Sequence, residues 1–203
     1  MAQKDKNRKV RAVLAGGLVL GIGTMVTLAS WNDSDFVEGL FGAGHFNMQG
    51  SANGMDFADH TSGSPATLNF TVAPGTLSPG DVVAAPYALR LDAETTNAGT
   101  VGITSTVNTG TAVDSLSYTI VQVPSIDACD PLATGTVIIP ARTALGEGTV
   151  VTPINLPMSE NVGDPGASIF LCIQVTAAAD LARSTPQDTG VIATWEFVGE
   201  SVS

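Results

Sequence analysis

Ile169-Phe170-Leu171-Cys172-Ile173-Gln174-Val175 sets Ile169, Leu171, Ile173 and Val175 on one side of an extended chain and Phe170, Cys172 and Gln174 on the other. At helical spacing the same residues would be scattered around a cylinder, so the alternation predicts a strand. Val191, Ala193, Trp195 and Phe197 alternate in the same way with Ile192, Thr194, Glu196 and Val198, and so do Leu116, Tyr118 and Ile120 with Ser117 and Thr119. Period two with β-branched and aromatic residues is the pattern of a half-buried strand.

Outward from these runs, Gly and Pro punctuate the chain at Pro74-Gly75, Pro79-Gly80, Asn97-Ala98-Gly99, Asn108-Thr109-Gly110, Gly146-Glu147-Gly148 and Pro165-Gly166. Each is a turn signal with a backbone cause: a fixed φ at proline or access to positive φ at glycine. The pattern predicts strands over 44–49, 67–73, 82–92, 100–108, 115–123, 134–139, 148–156, 167–176 and 189–199. One short helical turn fits Ala177–Arg183. Gly50–Pro65, which carries Gly, Ser and Ala, reads as the flexible loop. Closely spaced strands with no internal repeat and no long linker imply an all-β chain, a single β-sandwich of jelly-roll type.

The first residues are of a different kind. Lys4, Lys6, Arg8, Lys9 and Arg11 precede an uncharged run from Ala12 to Ser30, which ends at Trp31-Asn32-Asp33. A basic start, an apolar stretch and a small-residue exit make an export signal. Leu28-Ala29-Ser30 offers the small side chains that a signal peptidase needs, so the cut is expected between Ser30 and Trp31. The organisation is then a signal peptide over 1–30 and a sandwich over 31–203. The alternative is an uncleaved anchor, because the run is just long enough to span a bilayer, though four glycines weaken it.

Gly17-Leu18-Val19-Leu20-Gly21-Ile22-Gly23-Thr24, followed by Thr27-Leu28-Ala29-Ser30-Trp31-Asn32-Asp33, resembles the signal of exported proteins processed by the SipW-type signal peptidase, the TasA/camelysin-like proteins of Gram-positive bacteria. Phe41-Gly42-Ala43-Gly44-His45-Phe46-Asn47-Met48 is similar to that family's first strand, and Leu77-Ser78-Pro79-Gly80-Asp81 to its Leu-x-Pro-Gly-Asp turn. The resemblance covers the first 81 residues. It implies export and a SipW-type peptidase as processing partner, and it favours a biofilm fibre. It also brings the label metallopeptidase, which camelysin-like proteins carry.

Of 19 acidic and 8 basic residues, 1 and 5 respectively precede Trp31, so the remainder carries a net charge of −15 with no lysine. Such a surface repels nucleic acid and anionic membrane faces. Contact with a membrane is expected only through an uncleaved signal. Cys129 and Cys172 are the only cysteines. In an exported chain they are expected to pair, closing a loop of about 44 residues worth roughly 4 kcal/mol in the chain-entropy model. The bond would pin the loop Ser125–Pro131 to a strand.

Chemistry is sparse. His45 and His60 are the only histidines, and no His-Glu-x-x-His, Gly-x-Ser-x-Gly or phosphate loop occurs. Asp56, Asp59 and His60 form a weak metal candidate, without the second histidine of a zinc site. Asp127 and Asp130 fall short of a calcium loop. No catalytic residue and no cofactor are expected. The composition and the resemblance together predict an exported structural protein of the cell surface or biofilm matrix. Trp31, Phe36, Phe41, Phe46 and Met48, within an exchangeable segment over 31–49, would join copies into filaments by strand addition. A monomeric secreted binding or adhesion module is the alternative, and a camelysin-like metallopeptidase the third reading.

Overall fold

The computed structural model describes residues 44–71, 77–108, 113–181 and 191–202, which belong to one compact unit, Ala43–Ser203. The expected cleavage point at Ser30 and Trp31, and the residues Phe36 and Phe41, lie outside them. The fold is all-β, with two antiparallel sheets packed face to face as a sandwich. Among the described residues, eight strands run in the order β1 (Met48–Ser51), β2 (Val82–Leu91), β3 (Gly99–Asn108), β4 (Leu116–Val123), β5 (Thr136–Ala144), β6 (Ile154–Leu156), β7 (Ile169–Ala177) and β8 (Ile192–Ser201). One sheet has the order β1-β2-β7-β4-β5 and the other β6-β3-β8.

Alternation does the sorting. In β7, Leu171, Ile173 and Val175 point into the sandwich, where they meet Tyr87, Leu89 and Leu91 of β2 and Tyr118 and Ile120 of β4. The facing sheet supplies Val101 and Ile103 of β3 and Ile154 and Leu156 of β6, with Trp195 and Phe197 of β8. The Tyr87 and Phe197 rings stack with centroids 5.2 Å apart, and Tyr118 meets Trp195 edge-on at 5.6 Å. Such pairs add about 0.5–1.5 kcal/mol beyond their buried area.

The other face of β7 is buried too. Cys172, with Ala84, Val121 and Val123, forms a small second cluster beneath the loop that follows β4. Cys129 in that loop is bonded to Cys172, with a Cα–Cα distance of 5.0 Å. Gln174 Nε2 donates to the carbonyls of Asp130 and Ala133, both at 3.0 Å. The expected disulfide therefore pins the expected loop to the expected strand. A bond of this kind fits an oxidising compartment, and no helix among the described residues is long and apolar enough to cross a membrane.

Several boundaries differ from expectation. The first strand begins at Met48 rather than residue 44, because His45 and Asn47 bond to a turn instead of a ladder. Residues 67–71 form no strand: Thr71 N–H donates to the Ala84 carbonyl at 3.0 Å, while Leu68 and Phe70 pack on the core. β5 runs past Pro140 to Ala144, because an edge strand with a bulge tolerates a proline. The strand expected over 148–156 shrinks to Ile154–Leu156. Ala177 ends β7, and Leu181 N–H bonds Ala178 O at 3.1 Å in one tight turn instead of a helix; the rest of that stretch lies outside the described residues. The start of Gly50–Pro65 is closed locally: the Ser51 hydroxyl donates to Asn53 Oδ1, which accepts the Met55 and Asp56 N–H groups.

Candidate functional site: the N-terminal junction and the sheet edges

The chain enters the sandwich at its outermost strand. Before β1, His45 N–H donates to Thr96 Oγ1 at 3.2 Å, and Thr96 N–H returns to the His45 carbonyl at 2.9 Å. Asn47 N–H donates to Thr95 Oγ1 at 3.0 Å, and Asp92 N–H to the Asn47 carbonyl at 3.1 Å. The short polar side chains of Thr95 and Thr96, in the turn between β2 and β3, offer the hydroxyls that a strand start otherwise lacks. The incoming segment is thereby laced to that turn.

Asp92 ties the knot. Its Oδ2 lies 3.1 Å from His45 Nε2, and its Oδ1 accepts from Thr95 Oγ1 at 2.8 Å and from the Glu94 N–H at 3.1 Å. Partial burial alone would raise its pKa; the hydrogen bonds from Thr95, His45, Asn47 and the Glu94 backbone outweigh that and hold it at about 2. The carboxylate is ionised under all ordinary conditions.

His45, Asp92 and Glu94 each offer a ligand atom within 4.8 Å of one another, a metal-capable grouping that the sequence did not disclose. Arg90 lines the same hollow as Asp92, Glu94, Asn47 and Asp59, and its guanidinium lies 4.0 Å above the Phe57 ring. A fixed cation there works against a second one, and both Asp92 oxygens already have partners. The grouping acts as a clamp on the N-terminal segment. The metal candidate expected from sequence does not assemble: Asp56 accepts from Asn53 Nδ2 at 2.7 Å, Asp59 from Asn47 Nδ2 at 3.1 Å, and His60 is exposed. Asp130 is likewise occupied, with Oδ1 taking the Leu132 N–H at 2.7 Å.

Of the residues expected to join copies, Phe46 and Met48 are described, and both pack against the core. Phe46 lies over two glycines. A Cβ on Gly99 would sit 2.8 Å from the ring, and one on Gly199 3.1 Å from it, so the absence of side chains at these positions makes its seat. Met48–Ser51 pairs with Ala88–Leu91 of its own chain. The end of the 31–49 segment, Met48 and Gln49, thus enters the domain's own edge strand, with residues 45–47 bonded to the turn before it, and residues 31–43 lie outside the described structure.

The remaining sheet edges differ in how they are guarded. β1 is four residues long, and Gly50 exchanges two 3.0 Å backbone bonds with Ala58 on its outer side. β5 carries a bulge, Pro140 and a positive φ of 65° at Arg142, and its Ile138 carbonyl takes the Val151 N–H. β6 has only three residues. Short length, bulges, proline and covering loops are the usual protections of an edge. β8 has none of them among the described residues: it runs ten residues in unbroken register with β3.

Comparison with protein-family models gives no match for this chain, and no curated protein shows significant similarity to it.

Proposed function

We propose that this is an exported structural protein of the cell surface or biofilm matrix, cut after Ser30 and built into filaments through its N-terminal segment. The observation that carries the reading is the place where the chain enters: residues 45–51 are clamped along an outer edge of the larger sheet. The aromatic residues Trp31, Phe36 and Phe41 immediately precede that edge. Such a segment gains by pairing with a sheet of the next molecule, where main-chain hydrogen bonds supply affinity and alternate side chains supply fit. The contact is head-to-tail, so it does not close and it propagates. Secretion accords with the basic and apolar leader and with the Cys129–Cys172 bond.

A net charge of −15 beyond residue 30 opposes association at low ionic strength, and salt screens it over about 8–10 Å near physiological conditions. Sedimentation of the secreted protein across a salt series, and again at lowered pH, tests the reading. Polymers that grow with either support it. A monodisperse particle under every condition overturns it in favour of a monomeric surface module.

A further inference from the structure

Among the described residues, the guarded edges leave β8 as the long open one, and its register with β3 defines what it presents. Val202 N–H bonds to the Ala98 carbonyl at 2.9 Å, and Ser201 stands opposite Gly99. Hydrogen-bonded and non-bonded pairs alternate along an antiparallel ladder. The even-numbered residues of β8 therefore turn their N–H and C=O groups to β3, while Ala193, Trp195, Phe197, Gly199 and Ser201 turn theirs to the free side. The side chains sort the other way. Ala193, Trp195 and Phe197 pack on the core, and the outer face carries Ile192, Thr194, Glu196, Val198 and Glu200, continuing to Val202. Three of these are exposed apolar groups: Ile192 at 62%, Val198 at 43% and Val202 at 45%.

We infer that β8 of one molecule pairs antiparallel with β8 of a second copy, with Phe197 opposite its own counterpart on the two-fold axis. In that register the outward backbone groups match: Phe197 with Phe197, Trp195 with Gly199, Ala193 with Ser201. The outer face matches as well. Ile192 meets Val202, Thr194 meets Glu200, and Glu196 meets Val198. Each carboxylate faces a hydroxyl or an apolar group, and the exposed aliphatic side chains at the strand ends cover one another. Moving the axis to residue 196 sets Glu196 against Glu196, and moving it to 198 sets Glu196 against Glu200; like charges directly opposite are destabilising. Charge thus excludes the two neighbouring registers, and among the rest the Phe197 axis gives the longest ladder, from Ile192 to Val202; the contact is isologous and closed.

The N-terminal segment is the competing occupant of this edge. It brings Asp33, Asp35 and Glu38 towards Glu196 and Glu200, in a chain with no lysine beyond Lys9 to offset them. Self-pairing avoids that repulsion. The β8 joint goes beyond the proposed filament: it joins two copies sideways, whether or not filaments form, and leaves the N-terminal segment to pair at a different edge of the next molecule.

Co-expression of two full-length variants, Glu196→Cys and Val198→Cys, tests the register, because a non-bonded antiparallel pair brings its Cα atoms to about 4.5 Å, within disulfide reach. Non-reducing electrophoresis should show a covalent dimer from cells making both variants and none from cells making either alone. Deleting residues 31–43 from both chains should leave that dimer in place, which separates this result from the fate of the filament. A Val198→Glu substitution, at an exposed position, should weaken the non-covalent dimer at least tenfold by setting a new carboxylate against Glu196, and adding Glu196→Lys should restore it. No mixed dimer from folded protein, an equal yield from the single variants, or loss of the cross-link on deleting 31–43 would each overturn the inference.

Discussion

Replacing Cys172 with Ser removes the covalent link between the loop over the larger sheet and the centre of that sheet. Cys129 and Cys172 are 43 residues apart, so the bond closes a loop of roughly 44 residues in the unfolded chain. The chain-entropy model gives about 4 kcal/mol for that constraint. Cys172 is fully buried, so the new hydroxyl must take over the Asp130 carbonyl, which the Cys172 sulfur meets at 3.8 Å; failing that, it adds about 1–3 kcal/mol as an unsatisfied group. A single domain holds about 5–15 kcal/mol in all, and in one of this size each kcal/mol moves the midpoint by about 2–4 °C. The melting temperature should therefore drop by roughly 8–16 °C. Thermal melts followed by circular dichroism, on wild type with and without reductant and on Cys172→Ser, provide the assay. Reduced wild type and the variant should lie close together, both well below the oxidised protein. If all three melt within about 2 °C of one another, the loop is held by Gln174 and packing alone, and the energetic argument for the disulfide fails.

Other outcomes follow from the junction and the leader. Asp92 has a folded pKa of about 2, below its ordinary 3.8, so its contribution is full above about pH 4 and fades as pH falls towards 2. Asp92→Asn should cost on the order of 1 kcal/mol at neutral pH, after allowance for screening, and should flatten the acid limb of the stability curve; an unchanged limb in urea titrations would refute the clamp. Gly99→Ala places a methyl 2.8 Å from the Phe46 ring and 3.1 Å from the Glu200 carbonyl, which should cost about 1–3 kcal/mol. Pairing it with Phe46→Leu should recover part of that loss in denaturant melts, and no recovery would mean that the backbone clash dominates. Ala29→Arg should block release of a chain beginning Trp-Asn-Asp, because a bulky charge does not fit a small-residue pocket; N-terminal sequencing of the secreted protein decides it.

The strands with clear alternation were legible in sequence because their two faces meet different surroundings. Leu171, Ile173 and Val175 enter the core while Cys172 and Gln174 lie under a loop, and the runs that form β4 and β8 read equally well. The Leu77–Asp81 turn was legible through its chemistry: Gly80 takes a φ of 86°, and the Asp81 carboxylate accepts the Ser78 N–H at 2.7 Å. The disulfide followed from there being only two cysteines. Elsewhere the deciding partner is distant in sequence. His45 meets Asp92 across 47 positions, so no local pattern marks the clamp, whereas Asp56, Asp59 and His60 are clustered in sequence but not brought together as ligands by the fold. Pro140 reads as a strand end, yet in a bulged edge it costs no ladder bond that matters, so β5 continues beyond it. Edge identity, on which the proposed assembly depends, follows from strand order, and strand order arises only when the whole chain is folded.

Electron microscopy of the secreted protein beside a variant lacking Trp31–Gly44 tests the filament most directly. The deletion stops short of His45, leaving the Thr95 and Thr96 bonds, the Phe46 seat and β1 intact, so the variant should fold and melt like the parent. The parent should form filaments at physiological salt, and the variant only discrete particles, no larger than the β8-paired dimer. The same filaments from both proteins would contradict the proposal.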